Sequence, residues 1–135
     1  MSAAVQPAPT GSTMLWAGRI ISGLVVAFLL FDGAIKLVPL DVVITTSQEL
    51  GIPTHLARTL GVLTLTCTLL YAFPRTAVLG AILLTGYIGG AIYVHVRAGS
   101  PMFSHTLFGL YLALLAWGGL WLRDARLRAL IPWQR

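Results

Sequence analysis

Four long apolar runs, separated by prolines and arginines, constrain this chain more than any other feature. They cover about residues 20–38, 54–73, 76–96 and 101–122. Each is about 20 residues long and as a helix would reach roughly 30 Å, the thickness of a bilayer's hydrocarbon core. Proline suits the first turn of a helix and serine the cap before it, so Pro53 and the Ser100-Pro101 pair read as helix starts. The runs are apolar on every side rather than alternating, which argues against the strands of a β-barrel. The expected fold is all-α, with four transmembrane helices in an antiparallel bundle forming one domain, 16–132.

Composition names the solvent. Hydrophobic residues make up 57% of the 135 residues and charged ones only 10%, with mean hydropathy +0.86. A soluble domain carries about 25% charged residues, so a soluble globular protein and a disordered one are both excluded. Residues 1–15 are uncharged and rich in Ala, Pro, Ser and Thr. They read as a disordered N-terminal tail, and without a basic n-region the first run reads as a retained anchor rather than a cleaved signal.

The connections add detail. Residues 73–76 allow only a tight turn, so the second and third spans should form a hairpin. The link 39–52 is longer, and its β-branched run 42–46 reads as an interfacial loop or a short helix capped by Asp41. No internal repeat is visible, which disfavours an inverted-repeat transporter. Gly86 and Gly90 form a GxxxG pair, Ala81, Thr85 and Gly89 a second stripe, and Gly109 and Ala113 a third. Such stripes mark helix-packing faces in lipid, so Gly86, Gly89, Gly90 and Gly109 are expected to pack helices, with homo-oligomer formation as the other use of the same face.

The net charge of +5 sits mostly at span ends. Arg19, Arg75, Arg123, Arg126, Arg128 and Arg135 lie by the two termini and the 73–76 turn, whereas Lys36, Arg58 and Arg97 lie by the other two loops. This asymmetry predicts both termini in the cytoplasm, with 123–135 a basic cytoplasmic tail. Trp16, Trp117, Trp121 and Trp133 fall on the same side as interfacial anchors, and Arg123, Arg126 and Arg128 are expected to meet lipid headgroups. Charges used as membrane brackets do not make a nucleic-acid patch.

The remaining polar residues are those lipid should have excluded. Asp32 lies within the first span and Lys36 one turn later on the same face, the favourable acid-before-base order. Tyr87, Ala91 and His95 share a face of the third span. Intramembrane ionisable residues are functional candidates, and a pocket of Asp32, Lys36, Tyr87 and His95 in the outer leaflet would suit a lipid headgroup, a quinone carbonyl or a proton relay. The plainer reading is an ion pair that holds the first span to its neighbours. His55 and His105 project to the same end and read as wetted interfacial residues. The lone Cys67 excludes an internal disulfide or a CxxC site and reads as packing; no spacing of His and Cys suggests a metal.

Several short elements occur in a recognisable order: Phe31-Asp32-Gly33-Ala34-Ile35-Lys36-Leu37, Gly51-Ile52-Pro53, Leu60-Gly61, Pro74-Arg75-Thr76-Ala77-Val78-Leu79-Gly80, and Gly89-Gly90-Ala91 with His95. In these the chain resembles the DoxX-like family of small four-helix bacterial membrane proteins, over about residues 16–132. The resemblance implies the bacterial cytoplasmic (inner) membrane. It also implies an association with membrane redox complexes, because the family is named after a subunit of a thiosulfate:quinone oxidoreductase. The Gly33-x-x-Lys36 and Gly90-Ala91-x-x-x-His95 elements carry over by position, without a catalytic role. With neither a cysteine pair nor a nucleotide loop, the chain is not expected to be an enzyme on its own or to hold a cofactor, though quinone is a candidate ligand. The leading expectation is a non-autonomous subunit or small-ligand-binding protein. The alternatives are an assembly factor that binds another membrane helix, and a small permease that works as an oligomer.

Overall fold

The first apolar run becomes the longest helix, α1 (Ser12–Leu37). This computed structural model describes residues 11–38, 41–101, 104 and 106–131, together with the backbone but not the side chain of Thr54. Helix α1 starts earlier than expected: Gly11, in an extended conformation, is its N-cap. Residues 12–15, expected in the tail, are therefore helical. Met14, Leu15 and Ala17 are helix formers, and Gly18 is held against the backbone at Gly119 and Arg123, which carries the helix beyond the apolar run. Residues 1–10 of the expected tail lie outside the described residues.

The link between the first two spans forms α2 (Asp41–Leu50). Its β-branched residues have modest helix propensity, but Val43 and Ser47, one turn apart, are both buried, so tertiary packing decides the outcome. Asp41 is its first residue. A 3-10 turn, Thr54–Leu56, leads into α3 (Ala57–Ala72). After the expected turn, in which the Thr76 hydroxyl donates to the Leu70 carbonyl at 2.7 Å, comes α4 (Ala77–Ala98). Gly99, at φ 71°, ends that helix in the left-handed conformation that glycine adopts without strain.

The start of the last long helix departs from expectation. Helix α5 is Phe108–Arg123, with Leu107 as its N-cap, so the Ser100-Pro101 pair does not begin it. The Ser100 amide donates to the His95 carbonyl to close α4, and its hydroxyl lies 3.0 Å from His95 Nδ1. Ser100 thus belongs to the end of α4. The chain closes with α6 (Ala125–Leu130), capped by the Asp124 side chain, which accepts from the Arg126 amide. The expected C-terminal tail therefore contains a turn and a half of helix, and Trp133 and Arg135 lie outside the described residues.

Round the molecule, α1 packs on α3 and α5, and α4 packs on the same two helices. Val25, Leu29, Tyr71, Ala81, Leu84, Ile88, Ala116 and Leu120 fill the space between them. Leu24, Phe31, Leu69, Ile82 and Leu114 are more than half exposed on the outside, an apolar surface far larger than a protein in water tolerates. Helices α1 and α4 are long and apolar enough to cross a membrane, whereas α3 and α5 are apolar but shorter, at 16 residues each. No strand occurs among the described residues.

Glycine makes the closest approaches possible. A Cβ on Gly18 would lie 2.7 Å from the Gly119 carbonyl, and one on Gly80 would run into the Tyr71 backbone. Among the expected packing glycines, Gly109 lies against Ile88 and Ile92. Gly86, Gly89 and Gly90 differ: a Cβ at any of the three would meet nothing within 4 Å, so they pack no helix within this chain. The stripe has the right spacing, but Gly86 and Gly90 border an open cavity and Gly89 is exposed, so no facing backbone approaches them.

Candidate functional site

Two close approaches at glycine place the polar residues of α1. Gly33 lies under the Leu65 side chain, and Gly61 against the Gly33 carbonyl and Lys36 Cβ. With α1 and α3 this close, the last turn of α1 presents Lys36 across the ring to α4. Lys36 Nζ donates to Asp32 Oδ2 at 2.8 Å and to Tyr87 Oη at 3.1 Å, and it stands 5.7 Å from the centre of the Tyr87 ring. The ion pair is half-buried, with side-chain exposures of 21% for Lys36 and 30% for Asp32. Such a pair adds orientation more than net stability, since desolvation offsets much of its attraction.

Beside this cluster lies a cavity of about 580 Å³, within the range of small-molecule sites. Asp32, Lys36, Tyr87 and His95 all line it, so the structure brings together the four residues singled out from sequence. Ile35, Leu60 and Val94 contribute apolar wall, and Gly86, Gly90 and Ala91 make the α4 side low enough to leave space. Helix α2 covers one flank with Val42, Val43, Thr46, Ser47 and Leu50. That contribution was not foreseen, because it depends on the link folding as a helix. His95 is oriented by the end of its own helix through Ser100. His55 is exposed on the 3-10 turn, and His105 lies outside the described residues.

The other end of the ring holds a second polar cluster, which sequence reasoning missed. Tyr71, fully buried, donates to the Ala116 carbonyl at 2.6 Å. Its oxygen can then accept only from the Ser22 hydroxyl, 2.8 Å away, and Ser22 Oγ in turn accepts from Arg123 Nε at 3.1 Å. The Arg123 guanidinium also stacks over the Tyr71 ring at 5.6 Å. The available signal was a serine and a tyrosine inside apolar runs, each of which must find a partner in lipid. Arg123, expected at headgroups, is thus drawn into the fold. Arg128 donates to the Trp121 and Leu122 carbonyls at the end of α5, while Arg126 is exposed and sits 3.5 Å from Asp124. Trp117 and Trp121 are held by hydrogen bonds to Thr85 Oγ1 and the Ile131 carbonyl, and Trp16 is exposed beneath Arg19.

Apolar helices with an outward apolar surface, and a polar cluster that opens on an internal cavity, define a small helical membrane protein. The sequence pattern of the DoxX-like family matches residues 20–119, which covers all four sequence-predicted cavity residues. The chain belongs to the DoxX-like family. No curated protein and no solved structure matches it significantly.

Proposed function

We propose that the cavity binds a small amphipathic molecule, a quinone or a lipid headgroup, and that the protein serves a membrane redox complex as a non-autonomous subunit. In this reading the four long helices cross a bacterial cytoplasmic membrane as an antiparallel bundle. Both termini lie in the cytoplasm, and the cavity opens in the outer leaflet. The observation that carries the proposal is the convergence of Asp32, Lys36, Tyr87 and His95 on one cavity whose other walls are mainly apolar. Such a site orients a ligand by a few polar contacts and holds it by apolar ones. The redox association is supported by family membership.

Native mass spectrometry from mild detergent tests it. The wild-type protein is expected to carry an adduct with the mass of a quinone or lipid. The double variant Asp32→Asn/Lys36→Met is expected to fold and to lose that adduct. An identical adduct pattern in both proteins would overturn the ligand reading. A second reading, an assembly factor that docks another membrane helix, is favoured by the open face at Gly89, which is exposed and outside the cavity lining. A stoichiometric membrane partner and no small molecule would support it.

A further inference from the structure

We infer that Asp32 is a specificity-determining residue: by cancelling the charge of Lys36 it reserves the cavity for uncharged, carbonyl-bearing amphiphiles and turns anionic headgroups away. This deepens the ligand reading above and rests on it.

An ammonium group has three N–H donors. Lys36 uses two, toward Asp32 and Tyr87, and the third has no partner among the described residues. Because Tyr87 Oη accepts from Lys36, its own O–H remains to be donated. Both residues line the cavity, which therefore offers a donor pair from α1 and α4 to an acceptor on the ligand. A carbonyl oxygen accepts both bonds and leaves the ion pair intact. An anion would have to compete for an ammonium already held 2.8 Å from a carboxylate. It would also sit beside that carboxylate in a half-buried site, where like-charge repulsion is weakly screened. Asp32 and Lys36 sum to zero, and of the remaining lining residues only His95 is of a type that can carry positive charge. The site thus lacks the surplus positive charge that phosphate recognition requires.

The shared chemistry, a neutral carbonyl on an apolar body, is found in a quinone ring and in the esters of a glyceride. Three probes separate the cases: dioleoylglycerol, dioleoylphosphatidate (the same diester with a phosphate) and a decyl-substituted benzoquinone. Each is titrated into the purified full chain in non-ionic detergent, with bound mass read by native mass spectrometry. Gly90→Leu controls for binding to the outer surface, because a side chain at Gly90 enters open space in the cavity lining. At least one neutral probe is expected to bind in a manner that Gly90→Leu abolishes, and which one binds more tightly identifies the source. Phosphatidate is expected to bind about tenfold more weakly or worse, and Asp32→Asn to recover about tenfold for phosphatidate relative to dioleoylglycerol. Should Asp32→Asn not survive purification, Lys36→Met takes its place and must move the ratio further against phosphatidate. Phosphatidate binding as well as the neutral probes, or a ratio that neither variant moves, would overturn the role of Asp32. If no probe shows binding that depends on Gly90, the ligand reading itself fails instead.

Discussion

At one end of the helix ring Tyr71 is completely buried, and Gly18, Gly80 and Gly119 each leave less room than a methyl group needs. At the other end Gly86 and Gly90 face a cavity of about 580 Å³. Both ends place polar side chains between helices, with opposite results. At the Tyr71 end a directed chain runs from Arg123 through Ser22 and Tyr71 to the Ala116 carbonyl, and each link lies in a closed contact. At the Lys36 end the ammonium has one donor without a partner among the described residues, and a cavity lies beside it. Glycine in a membrane helix therefore has two uses. It brings backbones together at Gly18 and Gly80, and it hollows out a wall at Gly86 and Gly90. Spacing along the helix does not distinguish them; the facing helix does.

Substitution at the two kinds of glycine separates the ends most strongly. Gly80→Leu drives a side chain into the Tyr71 backbone and should cost ~3 kcal/mol or abolish folding. A melting curve in detergent, or the loss of monodisperse protein, would report it; a stable Gly80→Leu protein would mean that the end is not closed. Next comes Tyr71→Phe, which removes the donor to Ala116 and the acceptor for Ser22 in a buried site, at a cost of about 1–3 kcal/mol. Its melting temperature should fall clearly below that of wild type, with ligand binding retained.

The Asp32–Lys36 pair probes the open end with a smaller effect. Breaking a fully buried pair is severe, but this one is partly exposed, so Asp32→Asn and Lys36→Met should each cost about 1 kcal/mol. The double change should restore most of that stability while removing the polar contacts to a ligand. Losses in the double variant that equal the sum of the singles would show that the two residues do not act as a pair. The smallest effect is expected at Gly90→Leu. Its side chain meets open space, and a better helix former replaces glycine, so stability should hold or rise by about 0.5–1 kcal/mol. A large destabilisation there would show that the cavity wall is a packing surface after all.

Much of this was legible in the sequence because lipid makes polar residues conspicuous. Asp32, Lys36, Tyr87 and His95 interrupt otherwise apolar runs, and helical spacing alone placed the first two on one face and the last two on another. Pro53 marked a helix start and the 73–76 segment a tight turn, both for local backbone reasons. What sequence could not supply was contact across helices. Helix α2 forms from a β-branched run because Val43 and Ser47 find a surface to bury against. Arg123 looked like a headgroup anchor, yet Ser22 and Tyr71 on two other helices give it partners inside. Ser100 looked like the cap of α5, but its hydroxyl is engaged by His95.

One end of the ring is closed and the other holds an accessible cavity, a difference that thiol labelling can read. In a Cys67→Ser background, Ala91→Cys places a thiol in the cavity lining and Ala81→Cys places one in the closed core, where the native residue is 1% exposed. A small polar methanethiosulfonate reagent should modify the protein carrying Ala91→Cys rapidly, and should leave the one carrying Ala81→Cys unmodified until the fold is disrupted. Equal resistance at both positions, or faster reaction at position 81, would mean that the two ends do not differ in this way.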